Sequence, residues 1–156
     1  MICRNCKRKR FEKISNIGQQ PISSLFLKRK TKIKNYSLDL FKCNFCDLVQ
    51  LSKIPNLKDM YGIDYGYKTS VSKLMVNHLK KKISKLKKFG IFEKKIKILD
   101  IGSNDGTFLN FFSKLGKRFD LFGIDPSASA FIKNYNKKIN LIIDFFNKKN
   151  VEDHFI

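Results

Sequence analysis

The 156-residue sequence lacks any run of about 18 apolar residues, the length that marks a candidate membrane-spanning helix. Its first residues, Met1-Ile2-Cys3-Arg4, leave no room for the apolar stretch of a secretory signal peptide. We therefore expect a cytoplasmic protein with no membrane partner. The apolar fraction of 42% and the 15 Phe favour a globular chain with a core over a disordered one.

Acidic residues are also scarce, with 13 Asp and Glu against 33 Lys and Arg, for a formal net charge of +20. Such a charge would suit a nucleic-acid partner. However, 28 of the basic residues are scattered Lys and only five are Arg, whereas base-reading and bidentate phosphate sites favour Arg. We interpret the excess mainly as a solvated surface and do not expect a nucleic-acid partner. The alternative is that the positive charge creates an electrostatic field that attracts an anionic, nucleotide-linked small molecule.

The only cysteines are four, arranged as two C-x-x-C pairs, Cys3/Cys6 and Cys43/Cys46. Two such turns can bring four thiolates to one tetrahedral metal, and nearby Lys and Arg would help keep them ionised. Paired disulfides are disfavoured in a cytoplasmic protein, and a redox-active pair would not explain the second copy. The pattern predicts a closed structural Zn²⁺ site.

An amphipathic helix is predicted from Ser70 to about Phe89, because apolar residues recur there at three- and four-residue steps before Gly90. His78 lies on its apolar face. After Gly90 the sequence alternates between patterns of buried strands and patterns of helices. Strands are predicted at 97–101, 120–125 and 140–144, with helices at 107–115 and 127–138, the latter capped by Ser127.

This alternation predicts an α/β fold with a parallel sheet and right-handed crossovers. We expect two domains, a small four-cysteine zinc-binding module at residues 1–68 and an α/β domain at 69–156. Because an open sheet of this kind normally has more strands, the second domain is expected to be truncated, with the chain stopping inside the next helix.

A glycine loop follows the first of these strands, with the spacing Asp100-x-Gly102-x-x-x-Gly106, which differs from the G-x-G-x-x-G of dinucleotide folds. Gly102 permits a tight turn and close approach of a ligand, and Gly106 a backbone conformation closed to other residues. The Asp100 carboxylate can accept a hydrogen bond from a ligand's ammonium group. Asp125, at the end of the second strand, can accept both hydroxyls of an adenosine ribose. The alternative is an ordinary glycine turn.

With these motifs in place, the chain resembles the sugar C-methyltransferase family. The resemblance runs through both cysteine pairs and most of the chain between and after them. It covers Gly18-Gln19-Gln20-Pro21, Cys46 to Leu51, Tyr61, Tyr65 and Tyr67, Ser70 to His78, Leu99 to Thr107, Gly123 to Ser127, and Asp144-Phe145-Phe146.

The resemblance implies a zinc-binding N-terminal domain followed by a truncated, Rossmann-like class I methyltransferase domain that binds S-adenosylmethionine. The substrate would be a nucleotide-diphosphate-linked keto-deoxysugar, methylated on carbon after a base removes the proton next to the keto group. The cofactor-binding residues would be Asp100, Gly102, Ser103, Asn104, Gly106, Asp125 and Pro126.

The family's catalytic histidine and glutamate lie further along than residue 156, so no catalytic residue is assigned and activity of this chain alone is doubtful. Tyr65, Tyr67 and His78 are candidates for the substrate cleft, with simple packing as the alternative. Two other interpretations stay open. One is a basic zinc ribbon that binds RNA, within an RNA methyltransferase or alone, and the other is a partial gene product without activity. The acceptor sugar and the oligomeric state are not predicted.

Overall fold

A computed structural model describes residues 1–23, 27, 29–62, 64–116 and 118–154 of the chain. Its contacts divide the protein into two compact units, Met1–Met60 and Tyr61–Ile156. The division therefore precedes the expected boundary after residue 68. In the part of the chain that the structure covers, no helix combines the length and apolar character that crossing a membrane requires.

The first unit is built on an antiparallel sheet of three strands in the order β1-β2-β3. The strands are β1 (Phe11–Pro21), β2 (Asn35–Cys43) and β3 (Val49–Leu51), followed by one helical turn, α1 (Leu57–Met60). Among the residues of this unit that the structure describes, the buried ones are Cys3, Cys43 and the polar Gln50. A sheet with so few buried apolar side chains gains little from hydrophobic burial, which is the usual situation of domains organised by a metal.

The second unit begins with a 3-10 turn, Thr69–Val71, and the helix α2, Lys73–Lys88. The predicted helix was therefore placed slightly too early. Its true N-cap is Ser72, whose hydroxyl accepts from the Met75 N–H at 3.2 Å. The predicted end is confirmed, since Gly90 adopts the left-handed φ of 68° that closes many helices.

The parallel sheet is confirmed. It has the order β4-β5-β6, with β4 at Ile96–Ile101, β5 at Phe119–Ile124 and β6 at Ile139–Ile142, and both pairings are parallel. Helix α3 (Thr107–Ser113) connects β4 to β5, and α4 (Lys148–His154) follows β6. The register sets Asp100 opposite Gly123. The carboxyl ends of neighbouring strands thus meet at one edge, the usual place for a ligand in such sheets.

The helix predicted at residues 127–138 is wrong in type, extent and cap. The segment is a 3-10 run, Pro126–Asn134, and its N-cap is Asp125. Ser127 cannot be the cap because both its N–H and its hydroxyl donate to Asp125 Oδ1, at 2.7 and 2.6 Å. Tyr135 then returns to an extended backbone.

The core of the second unit lies between α2, α3 and the sheet. Its buried members are Ile83, Leu109, Phe112, Phe119, Leu121 and Ile139. The apolar face predicted for α2 is only partly used, because Ile83 is its one buried residue. Leu74 is 84% exposed and Phe89 is 76% exposed. The periodicity therefore identified the helix correctly but overstated how much of it is covered.

Candidate metal centre and cofactor loop

The four cysteine sulfurs converge in the first unit, all within 4.8 Å of one another. Two contacts cross between the pairs, Cys3 to Cys46 and Cys6 to Cys43, each with a sulfur–sulfur distance of 3.6 Å. A tetrahedral zinc with bonds of about 2.3 Å places its sulfurs about 3.8 Å apart. None of the four is in a disulfide. The cysteines are thus positioned to bind zinc.

Each C-x-x-C pair lies in a tight turn, called a knuckle below. The two knuckles share one backbone geometry although their sequences differ. In each, the residue after the second cysteine is left-handed, with a φ of 63° at Lys7 and 58° at Asp47. Its N–H donates to the carbonyl of the first cysteine, at 3.1 Å in one knuckle and 3.0 Å in the other. The first cysteine's N–H closes the turn with a 2.9 Å bond in both. This shared turn points both thiols of a knuckle the same way.

Backbone N–H groups around the sulfurs favour thiolates. The N–H of Leu48 lowers the pKa of the Cys46 thiol to about 6, against the effect of burial. Burial raises the pKa of Cys3, but the N–H groups of Cys6 and Asn5 more than offset it. The Arg8 N–H acts on Cys6 in the same sense, yet burial and the neighbouring thiols raise that pKa to about 11. A cation is needed for all four to ionise together, and a bound zinc would supply that charge.

A buried glutamine, Gln50, supports the first knuckle from β3. Its side-chain carbonyl accepts from the Arg4 N–H at 3.0 Å, and its amide donates to the Ile2 carbonyl at 3.2 Å. These two residues flank Cys3, so Gln50 fixes the position of that ligand. Sequence reasoning did not single out Gln50, although it lies in the Cys46–Leu51 motif.

The glycine loop of the second unit joins β4 to α3. Three of its five residues have a left-handed backbone, with φ of 77° at Gly102, 50° at Asn104 and 73° at Gly106. The two glycines serve different purposes. A Cβ on Gly102 would meet no atom within 4 Å, whereas one on Gly106 would lie 2.7 Å from the ring of Tyr135. Gly102 therefore leaves an open face on the loop, and Gly106 allows close packing beneath it.

Asn104 and Asp105 point inward and hold the Tyr67–Ser70 segment. Asn104 Oδ1 accepts from the N–H and hydroxyl of Thr69, at 3.0 and 3.2 Å, and its amide donates to the Tyr67 carbonyl at 3.0 Å. Asp105 Oδ2 accepts from the N–H of Ser70 at 2.9 Å. The Asn104 side chain is thus engaged within the protein, and a cofactor contact expected there would have to come from its backbone.

Asp125 lies beside the loop and is hydrogen-bonded to it, as its Oδ2 accepts from the Asn104 N–H at 2.8 Å. It is 8% exposed. Its Oδ1 is occupied by Ser127, while Pro126 starts the 3-10 run and is half-buried. The structure therefore brings together the glycine loop and Asp125, which the sequence placed in different strands.

Asp100 is the one loop-flanking carboxylate for which the described residues provide no hydrogen-bond donor or ion-pair partner. Burial raises its pKa to about 6, the charge of Lys82 opposes that rise, and the charge of Asp125 adds to it. The two acids are therefore close enough for their charges to interact. A half-buried carboxylate without a partner among the described residues is costly and suits a cationic ligand.

The three residues predicted to line the substrate cleft do not all lie near the glycine loop. The carbonyl of Tyr67 is tied to Asn104, and the Tyr67 ring is 38% exposed and 6.4 Å from that of Tyr65. His78 instead lies on the exposed side of α2, in an open groove of 470 Å³ lined by α2 residues alone. The structure places the tyrosine segment next to the loop and does not bring His78 to it.

Residues 3–61 match a methyltransferase-associated family model, described as a putative zinc binding domain. The matched range contains all four cysteines and agrees with the first unit. The match supports a methyltransferase-related role for this unit. No curated protein matches the chain.

Proposed function

We propose that the chain is an S-adenosylmethionine-dependent methyltransferase that binds the cofactor at the Gly102–Gly106 loop. The observation that carries this proposal is the pairing of an unpartnered Asp100 carboxylate with the open face of Gly102. The cofactor's ammonium group would neutralise Asp100, and its methionine part would lie against Gly102. The zinc unit is proposed to be structural, because four thiolates leave no open position for chemistry.

The loop's N–H groups argue against a phosphate-binding loop. Most of them already donate to acceptors within the protein. Those engaged are the N–H groups of Gly102, Ser103, Asn104 and Gly106. A dinucleotide loop needs such groups free for the pyrophosphate. An acidic loop whose donors are used internally fits a cationic cofactor better than NAD.

Asp125 retains acceptor capacity for a ribose hydroxyl. Its Oδ2 accepts one described bond, from Asn104, and a carboxylate oxygen has two lone pairs. Pro126, which follows it, is proposed to bound the adenosine side of the site. Ser103 and Asn104 are proposed to contact the cofactor through their backbone carbonyl oxygens, which keep a second lone pair, since their side chains and N–H groups are engaged elsewhere.

The proposed acceptor is a nucleotide-diphosphate-linked keto-deoxysugar, methylated on carbon. Its support is the resemblance of the motifs, together with the exposed Tyr67 ring on a segment tied to the loop. Tyr65 and Tyr67 are proposed to contact this substrate. We assign no catalytic base within residues 1–156.

Isothermal titration of the zinc-loaded chain tests the cofactor proposal. We expect saturable binding of S-adenosylmethionine and S-adenosylhomocysteine and none of NAD. Gly102→Ala should weaken binding about tenfold, because a methyl group would fill the open face. Gly116→Ala is the matched control, since Gly116 also has a positive φ, of 128°, and empty space around it. Absence of any binding by the unmodified chain, or equal effects of both variants, would refute the proposal.

The sugar proposal needs its own measurement. Saturation-transfer NMR with the sugar nucleotide should show contact in the presence of S-adenosylhomocysteine, and Tyr67→Ala should abolish it. Tyr36→Ala, in the first unit, is the control for loss of an aromatic ring. Contact that survives Tyr67→Ala would remove this residue from the substrate site.

A further inference from the structure

Tyr135, which no sequence motif singles out, lies beneath the glycine loop. Its hydroxyl donates to the Asn104 carbonyl at 2.9 Å and lies 2.8 Å from Ser103 Oγ. Its ring covers Gly106 so closely that a Cβ there would sit 2.7 Å from Cδ1. One side chain therefore contacts three of the loop's five residues.

We propose that Tyr135 is a positioning residue that holds the Gly102–Gly106 loop in its cofactor-binding conformation. This inference deepens the proposed function and rests on it. Tyr135 acts through its contacts with the loop, so its role is to fix the shape that the ligand meets.

The argument starts from the backbone of Asn104. A left-handed φ of 50° is less favourable than the right-handed region even for asparagine, which tolerates it better than most residues with a side chain. The structure holds it at both ends, because its N–H donates to Asp125 and its carbonyl accepts from Tyr135. These two bonds fix the peptide planes before and after the residue, and hence both of its backbone angles.

The Tyr135 bond also sets which way the following peptide points. In a planar trans peptide the carbonyl and the N–H point in opposite directions. Holding the Asn104 carbonyl toward Tyr135 therefore turns the Asp105 N–H away from it. Without the hydroxyl this peptide could rotate, and the pattern of donors and acceptors on the loop would change.

Tyr135 is well suited to remain a donor. Burial raises the pKa of its phenol, and the charges of Asp125, Asp100 and Asp105 raise it further, against the effect of Ser103. The hydroxyl consequently keeps its proton throughout the physiological range. The ring contact with Gly106 adds a steric restraint that does not depend on protonation.

Tyr135→Phe in the full zinc-loaded chain tests the proposal, since it keeps the ring and removes the hydroxyl. Amide hydrogen exchange at Asn104 and Gly106 should become about fivefold faster, the factor that one net hydrogen bond contributes. Exchange at Leu121, in the middle of β5, should not change. The dissociation constant for S-adenosylmethionine should rise by a similar factor. Tyr36→Phe is the control, because its hydroxyl has no hydrogen bond among the described residues.

The outcomes separate the two proposals. Faster exchange confined to the loop, with no cofactor binding by the unmodified chain, would support the positioning role and refute the proposed function. Unchanged exchange at Asn104 in Tyr135→Phe would overturn the positioning role whatever the chain binds. If Tyr135→Phe does not fold, Ser103→Ala removes a hydroxyl that contacts the same phenol. It should also speed exchange at Asn104, and unchanged exchange would count against the proposal.

Discussion

Replacing Asp100 by asparagine should stabilise the protein at neutral pH while weakening cofactor binding. Burial raises the pKa of this carboxyl from 3.8 to about 6. Each pKa unit corresponds to about 1.4 kcal/mol, so the ionised group costs up to about 3 kcal/mol in the folded state. Asparagine has nearly the same shape and no charge, and it removes this cost.

The pH dependence has a definite sign. Because the folded-state pKa is raised above the unfolded value, the carboxyl binds its proton more tightly in the folded protein. The penalty is absent below about pH 3.8, grows between 3.8 and about 6, and is complete above that. Asp100→Asn should therefore be more stable than the unmodified protein at pH 8 and nearly equal to it at pH 4.

Urea unfolding followed by tyrosine fluorescence measures this difference, since the chain has five Tyr and no Trp. Asp120→Asn is the control, because Asp120 forms an exposed ion pair with Lys95 at 3.3 Å and such pairs contribute little. In titrations Asp100→Asn should bind S-adenosylmethionine at least tenfold more weakly, as a charged hydrogen bond is lost. An unchanged or lower stability at pH 8 would refute the reasoning about Asp100.

Other predictions concern packing and metal. Gly106→Ala should destabilise the second unit by about 2–4 kcal/mol in urea unfolding, through its clash with Tyr135 and its left-handed φ, whereas Gly102→Ala should cost only about 1 kcal/mol. Equal costs would contradict the ring contact. Gln50→Leu should cost about 1–3 kcal/mol in urea unfolding, because the part-buried Arg4 N–H and Ile2 carbonyl lose their partner. It should also speed zinc release to a chromogenic chelator. One zinc per chain should be found by metal analysis, and its removal should unfold the first unit in circular dichroism.

Much of the framework was predictable because its signals are local. The Cys3/Cys6 and Cys43/Cys46 pairs each form one turn, and two turns of this kind have few uses other than a shared metal. The alternating apolar segments predicted the parallel sheet, since strand and helix periodicities differ. The Asp100–Gly106 spacing likewise located the loop at the end of a strand.

The remainder depends on contacts between distant parts of the chain. Sequence alone determined the four candidate metal ligands, the order of the strands, and the loop with its flanking acids, because each is encoded by residues close together or by short periodic patterns. Only the tertiary structure decided that Tyr135 lies under Gly106, that the Asn104 side chain turns inward, and that Leu74 stays exposed. These outcomes depend on which surfaces meet after folding. Contacts between side chains far apart in the sequence cannot be predicted from the residues next to either of them.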